Sequence, residues 1–156
     1  DRHRAQDLMQ KRDFSGEELR SLEASHRDLE NLIAVGALLR DARFQNANLV
    51  GACFDGANLS NAHLQRADLR GASFCCHDGQ IADLEGADFR GADLRGARFE
   101  GASLFGATFC SEPGGEDEWG NAIIDATTVF DEVSLKTLEA LENQHAFVVA
   151  AIGVVR

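Results

Sequence analysis

Cys53, Cys75, Cys76, His77 and Asp78 are the residues of this chain whose types come closest to a reactive or metal-binding set. Thiolate and imidazole ligands would suit zinc, but a structural zinc site draws four donors from closely spaced pairs. The cysteines at positions 53, 75, 76 and 110 have no such spacing, and the adjacent Cys75 and Cys76 suit a disulfide framework poorly. They read as reduced thiols, and neither a metal nor a cofactor is expected. His26, His63 and His145 have no partner spacing and read as surface residues. The sequence contains no Gly-rich phosphate loop, HExxH, nucleophile elbow or tyrosine. The chain therefore reads as non-catalytic, not an enzyme.

Asp68, Asp83, Asp88 and Asp93 look like candidate acids and bases until their spacing is considered. They fall at multiples of five, each just before a leucine or phenylalanine, in text such as "GADFRGADLRGARFEGASLFGATF" over residues 86–109. A helix repeats at about 3.6 residues and a strand at 2, so neither explains this period. In each unit alanine stands two residues before a large apolar centre, and glycine recurs two residues after it. The phase runs unbroken from Leu39 to Phe109 apart from one unit, where His77 replaces the alanine and Gly79 the centre. The aspartates then belong to a wall, with Arg70, Arg90 and Arg95 two residues on to screen them.

This pattern resembles the pentapeptide-repeat family, whose consensus is close to A(D/N)LxG. The resemblance implies an all-β fold, a right-handed quadrilateral β-helix in which five residues form one side and four sides close a coil. Centres and alanines then point inward, and coils stack at the interstrand spacing of about 4.8 Å. A twenty-residue register predicts interior columns such as Phe14, Ala34, Phe54, Phe74, Leu94 and Leu19, Leu39, Leu59, Gly79, Phe99. It also puts Cys53 and Cys75 on the same face of adjacent coils. The expected organisation is an N-terminal cap segment over 1–11, the β-helix over 12–110, an acidic loop and partial last coil over 111–130, and a C-terminal helix and tail over 131–156.

Three stretches depart from the pattern. At Leu22 and Ala24, and again at Leu32 and Ala34, the small and large residues are exchanged, which conserves interior volume. Residues 12–34 are thus expected to form the first coil. The alternative is an α-helix over about 16–34, with capping-box spacing at Ser15 and Glu18 and heptad spacing of Leu19, Leu22, His26, Leu29 and Ile33. At "CCHDGQI" the wall should bulge or borrow Ile81. After the Pro/Gly-rich loop "CSEPGGEDEWGN", Trp119, Ile124 and Val129 return in phase with the centres. A helix follows, with Leu135, Leu138, Leu141, Val148, Val149 and Ile152 on one stripe, and Gly153 ends it.

Function rests on the outward residues, since the repeats specify only a scaffold. The formal charge is −11, but residues 37–110 hold nine acids against seven arginines, and 111–156 hold nine acids against Lys136 and Arg156. The favoured reading is a non-catalytic scaffold that binds an unknown protein partner. The alternative, implied by similarity of the apolar C-terminal segment to the quinolone-resistance group, is a DNA-mimicking protein that binds a type II topoisomerase such as gyrase and protects it from quinolones or toxins. A DNA mimic needs its charge spread along the rod, where duplex DNA carries about one charge per 1.7 Å. Here the charge gathers in the tail. With no basic stripe, direct nucleic-acid binding is not expected. No apolar run reaches the roughly 18 residues of a membrane span, so no membrane association and a cytoplasmic location are expected. Phe147, Val149, Ile152, Val154 and Val155 lack an evident internal partner and are the expected contact of a C-terminal homodimer.

Overall fold

The computed structural model describes residues 2–115 and 117–153. Single parallel bridges join Asp13 to Ile33, Glu18 to Leu38, Glu23 to Arg43 and Asp28 to Asn48, and Ile33 then pairs with Cys53. Four rungs per twenty residues, each stacked on the coil before, make a four-sided β-helix. Residues 16–34 form the first coil, not an α-helix.

The period of five follows from where each backbone N–H goes, as the repeat Ala67–Gly71 shows. Ala67 donates to Leu64 O at 3.1 Å, closing a turn, and Asp68 donates to Ala47 O of the preceding coil at 3.0 Å. Leu69 and Gly71 donate to Asp93 O and Arg95 O of the following coil, at 2.9 and 3.0 Å. The remaining donor, Arg70 N, goes to Asp68 Oδ1 at 3.3 Å. All five donors are satisfied, as buried and wall-forming backbone requires. The turn needs a left-handed residue at its third position. Glycine fills it at Gly71, Gly91 and Gly96, whereas Arg66 adopts it with φ 57°.

Alanines and centres form one continuous core from Phe14 to Phe130. The bridges keep the twenty-residue columns up to Phe74, and the ring stacks correct them beyond it. Phe54 lies on Phe74 at 5.2 Å, and Phe74 lies on Phe99 at 4.9 Å, not on Leu94. The reason is a change of register: Asn58 pairs with Asp83 and Ser73 with Arg98, so the fourth coil takes twenty-five residues. The additional five leave the wall around His77–Gln80, closed by an antiparallel bridge between those two residues. Gly79 is not an interior centre, and Ile81 is not borrowed by the core but is 47% exposed. A segment without alanine or a large centre has nothing to bury, so it is the one extruded.

The fifth coil closes only after the acidic loop, when Ile123 pairs with Asp93, and Val129 opens a sixth by pairing with Arg98. The buried residue there is Phe130, stacked on Phe99 at 4.8 Å, rather than the expected Val129. Trp119 also leaves the interior phase and lies half-buried outside the wall.

Helices close both ends. The helix α1 (Arg2–Lys11) packs Ala5, Leu8 and Met9 against the first coil. At the other end two helices, α2 (Glu132–Leu138) and α3 (Glu142–Ile152), replace the single one expected. Leu141 precedes α3 as its cap and is only half-buried, while Leu135, Leu138, Val148 and Ile152 cover the core. Gly153, with φ 81°, ends α3 as expected. Among the described residues no helix is long and apolar enough to cross a membrane.

Candidate interaction surfaces

The outward aspartates serve the wall. Asp68, Asp83, Asp88 and Asp93 each accept the backbone N–H two residues on, at 3.3, 3.0, 3.0 and 3.2 Å. Three of them also grip a guanidinium: Asp68 with Arg70 at 2.7 Å, Asp88 with Arg90 at 2.5 Å and Asp93 with Arg95 at 2.5 Å. Hydrogen bonds from Arg95, outweighing partial burial, hold the Asp93 carboxyl below the ordinary carboxylate range. On the next wall Arg98 pairs with Glu100 at 2.8 Å. The upper coils thus present ordered, locally neutral carboxylate–guanidinium forks.

The thiols meet only in part. Cys53 and Cys75 share a wall, with the Ser73 hydroxyl 3.4 Å from Cys75 Sγ and Cys75 N donating to Asp55 Oδ1 at 2.8 Å. Burial pushes the Cys53 thiol up, away from a reactive thiolate. Cys76, His77 and Asp78 are exposed in the extruded loop. No set of three or more donors is arranged to hold a metal among the described residues. Cys110 is buried at the C-terminal end, and burial raises its thiol too. His26 is exposed, and His63 and His145 are half-buried.

The expected dimer residues divide. Ile152 is 5% exposed and belongs to the cap, which corrects the expectation that it lacks an internal partner. Phe147 and Val149 are partly buried against the same core. Val154 and Val155 lie outside the described residues.

Two features escaped the sequence reading. Gln144, 1% exposed, accepts from Phe109 N and Cys110 N at 2.7 and 3.0 Å and donates to Cys110 O at 3.0 Å, occupying the place of a missing coil. Thr137 and Asp131 do the same for Leu104 N and Gly101 N, at 2.8 and 2.9 Å. The second feature is the acidic loop, which folds back onto a wall. Arg90 reaches Asp117 at 3.3 Å, the Arg66 guanidinium lies 5.3 Å from the Trp119 ring centre, and Arg66 also donates to Glu118 O. The paired signs were visible in the sequence, but nothing in its period joins Arg66 to Trp119.

Eight copies of the pentapeptide repeat match over residues 28–61, 52–76 and 82–109, leaving out 77–81 in the extruded loop, and the chain belongs to the pentapeptide-repeat family. Among solved structures, a pentapeptide repeat protein of the Arabidopsis thaliana thylakoid lumen is 35% identical over 64% of this chain and 70% of its own, with a TM-score of 0.41. HetL from Nostoc, a pentapeptide repeat protein involved in heterocyst differentiation regulation, is 26% identical over 76% of this chain and 60% of its own, with a TM-score of 0.47. QnrB1, a plasmid-mediated fluoroquinolone resistance protein, is 20% identical over 93% of each chain, with a TM-score of 0.44. Comparison with curated proteins gives no significant match.

Proposed function

We propose that this chain is a non-catalytic interaction scaffold whose walls dock a protein partner. The observation that carries this reading is the pairing of wall charges. Asp68, Asp88, Asp93 and Glu100 are each neutralised by an arginine of their own coil. A surface of neutral forks offers directional donors and acceptors to a protein, whereas a substitute for duplex DNA needs uncompensated charge along its length. The coils are taken as right-handed, as the resemblance to the pentapeptide-repeat family implies. Association into a dimer through α3 belongs to the same proposal, with Phe147 and Val149 as its contact.

A supercoiling assay with a type II topoisomerase tests the reading against its rival. Supercoiling is expected to proceed unchanged with the protein in large excess. Dose-dependent inhibition, or protection from a quinolone, would replace the scaffold reading with the DNA-mimic one.

A further inference from the structure

The acidic loop occupies a built site on its own wall. Asp117 pairs with Arg90 of the wall at 3.3 Å, while the N–H groups of Trp119 and Gly120, at 2.9 and 3.0 Å, and the hydroxyl of Ser111 fix its carboxylate within the loop itself. Trp119 lies against Arg66, which holds a left-handed corner at φ 57° where glycine or asparagine is the unstrained choice. Beneath the loop is Gly91. A Cβ there would stand 2.5 Å from Trp119 O and 2.9 Å from Arg66 Cγ, so the wall is cut away where the loop backbone crosses it. Recess, guanidinium face and second guanidinium together fit an acidic turn carrying an indole.

The loop can leave this site without opening the core. Its base is closed by Ala122 N donating to Phe109 O at 2.7 Å and Ser111 N donating to Asn121 Oδ1 at 3.1 Å. Gly114 and Gly120, both at φ 78°, flank its body. What holds it down is one cation–π contact, one partly buried ion pair between Arg90 and Asp117 and one hydrogen bond from Arg66 to Glu118 O.

We propose that the recess formed by Arg66, Arg90 and Gly91 is a docking site for an acidic, tryptophan-bearing segment of a partner protein, and that residues 117–119 are its internal stand-in. The inference deepens the scaffold reading and rests on it. The partner's segment displaces the loop by offering the same carboxylate to Arg90 and the same indole to Arg66. The chain's own loop thereby sets a threshold that a weaker acidic peptide does not cross.

Fluorescence anisotropy of a labelled peptide with the sequence of residues 111–121, added to the full-length protein, tests this. Loss of one cation–π contact weakens the internal loop at least roughly two- to five-fold, so Trp119→Ala should bind the peptide tighter than the unaltered protein by that factor or more. In the Trp119→Ala background, Arg66→Ala and Arg90→Ala should each abolish the gain, with circular dichroism unchanged. Gly91→Ala provides a second measurement: in the otherwise unaltered protein it should red-shift the emission of Trp119, the only tryptophan. Equal peptide affinity with and without Trp119, or a gain that survives loss of Arg66, would overturn the proposal. A dimer held by exchanged loops, dispersed by Trp119→Ala, would assign the site to a second copy of this chain and overturn the partner assignment. A failed peptide alongside an unaffected topoisomerase removes this site and leaves the scaffold reading standing.

Discussion

Truncating Gln144 to alanine would strand two N–H groups and one carbonyl at the end of the stack. A buried group left without a partner costs about 1–3 kcal/mol. Gln144→Ala should therefore lower the urea midpoint clearly, with no change in slope. A loss below about 0.5 kcal/mol would mean that water replaces the amide. Leu64 and Leu69 are 0% exposed, and replacing either by alanine should cost about 2–5 kcal/mol in the same experiment. An unchanged midpoint would contradict their inward placement. The two kinds of residue differ in legibility. Leu64 announces its burial by returning in phase with its neighbours. Gln144 is a lone polar residue on a helix, where sequence alone favours exposure, and only the unpaired edge below it explains its burial.

Among the elements, the loop over 111–121 was legible as a loop from its proline and glycines, but its docking was not. Docking depends on Arg66, Arg90 and Gly91, which the repeat brings to one corner only once the register has shifted. The loop also makes a pH prediction. The Ser111 hydroxyl, the backbone N–H groups of Gly120 and Trp119 and the Arg90 guanidinium hold Asp117 down at about 2, below the ordinary 3.8. Most of these partners belong to the loop itself, so the depressed carboxylate stabilises the turn that presents Trp119, a contribution fully present above the free pKa and lost as pH falls through the depressed one. Trp119 emission should stay constant down to about pH 4, shift red toward pH 2, and lose that step in Asp117→Asn. A shift centred near neutral pH would assign the change to another group. The C-terminal helices show the same division: their apolar stripe was readable, but the break at residues 139–141 was not. That break lets Thr137 and Gln144 reach different sides of the last coil.

For the whole molecule, the partly buried positions of Phe147 and Val149 decide how self-association is tested. Deleting the tail would also remove Val148 and Ile152 from the cap, so the joint substitution Phe147→Ser and Val149→Ser is the cleaner probe. Light scattering at tens of micromolar should give a dimer mass for the unaltered chain and a monomer mass for the variant. A monomer in both cases would sink the dimer.

The extruded five residues have a consequence for the azimuth of the molecule. Every side of the helix is built alike, so a chain that kept His77–Gln80 in its wall would still close coils, with everything beyond turned by a quarter revolution. Phe74 would then lie under Leu94, and Trp119 would leave the corner of Arg66. The sequence excludes this second winding only by making one side unfit for the interior, with His77 where alanine belongs and Gly79 where a centre belongs. Replacing His77→Ala and Gly79→Leu together removes that exclusion. The variant should populate a rotated form, seen as red-shifted Trp119 emission in a protein that keeps its circular dichroism, and unaltered emission would show that the choice of winding is made elsewhere. Five residues that lie outside the wall thus act as an angular key between its two halves.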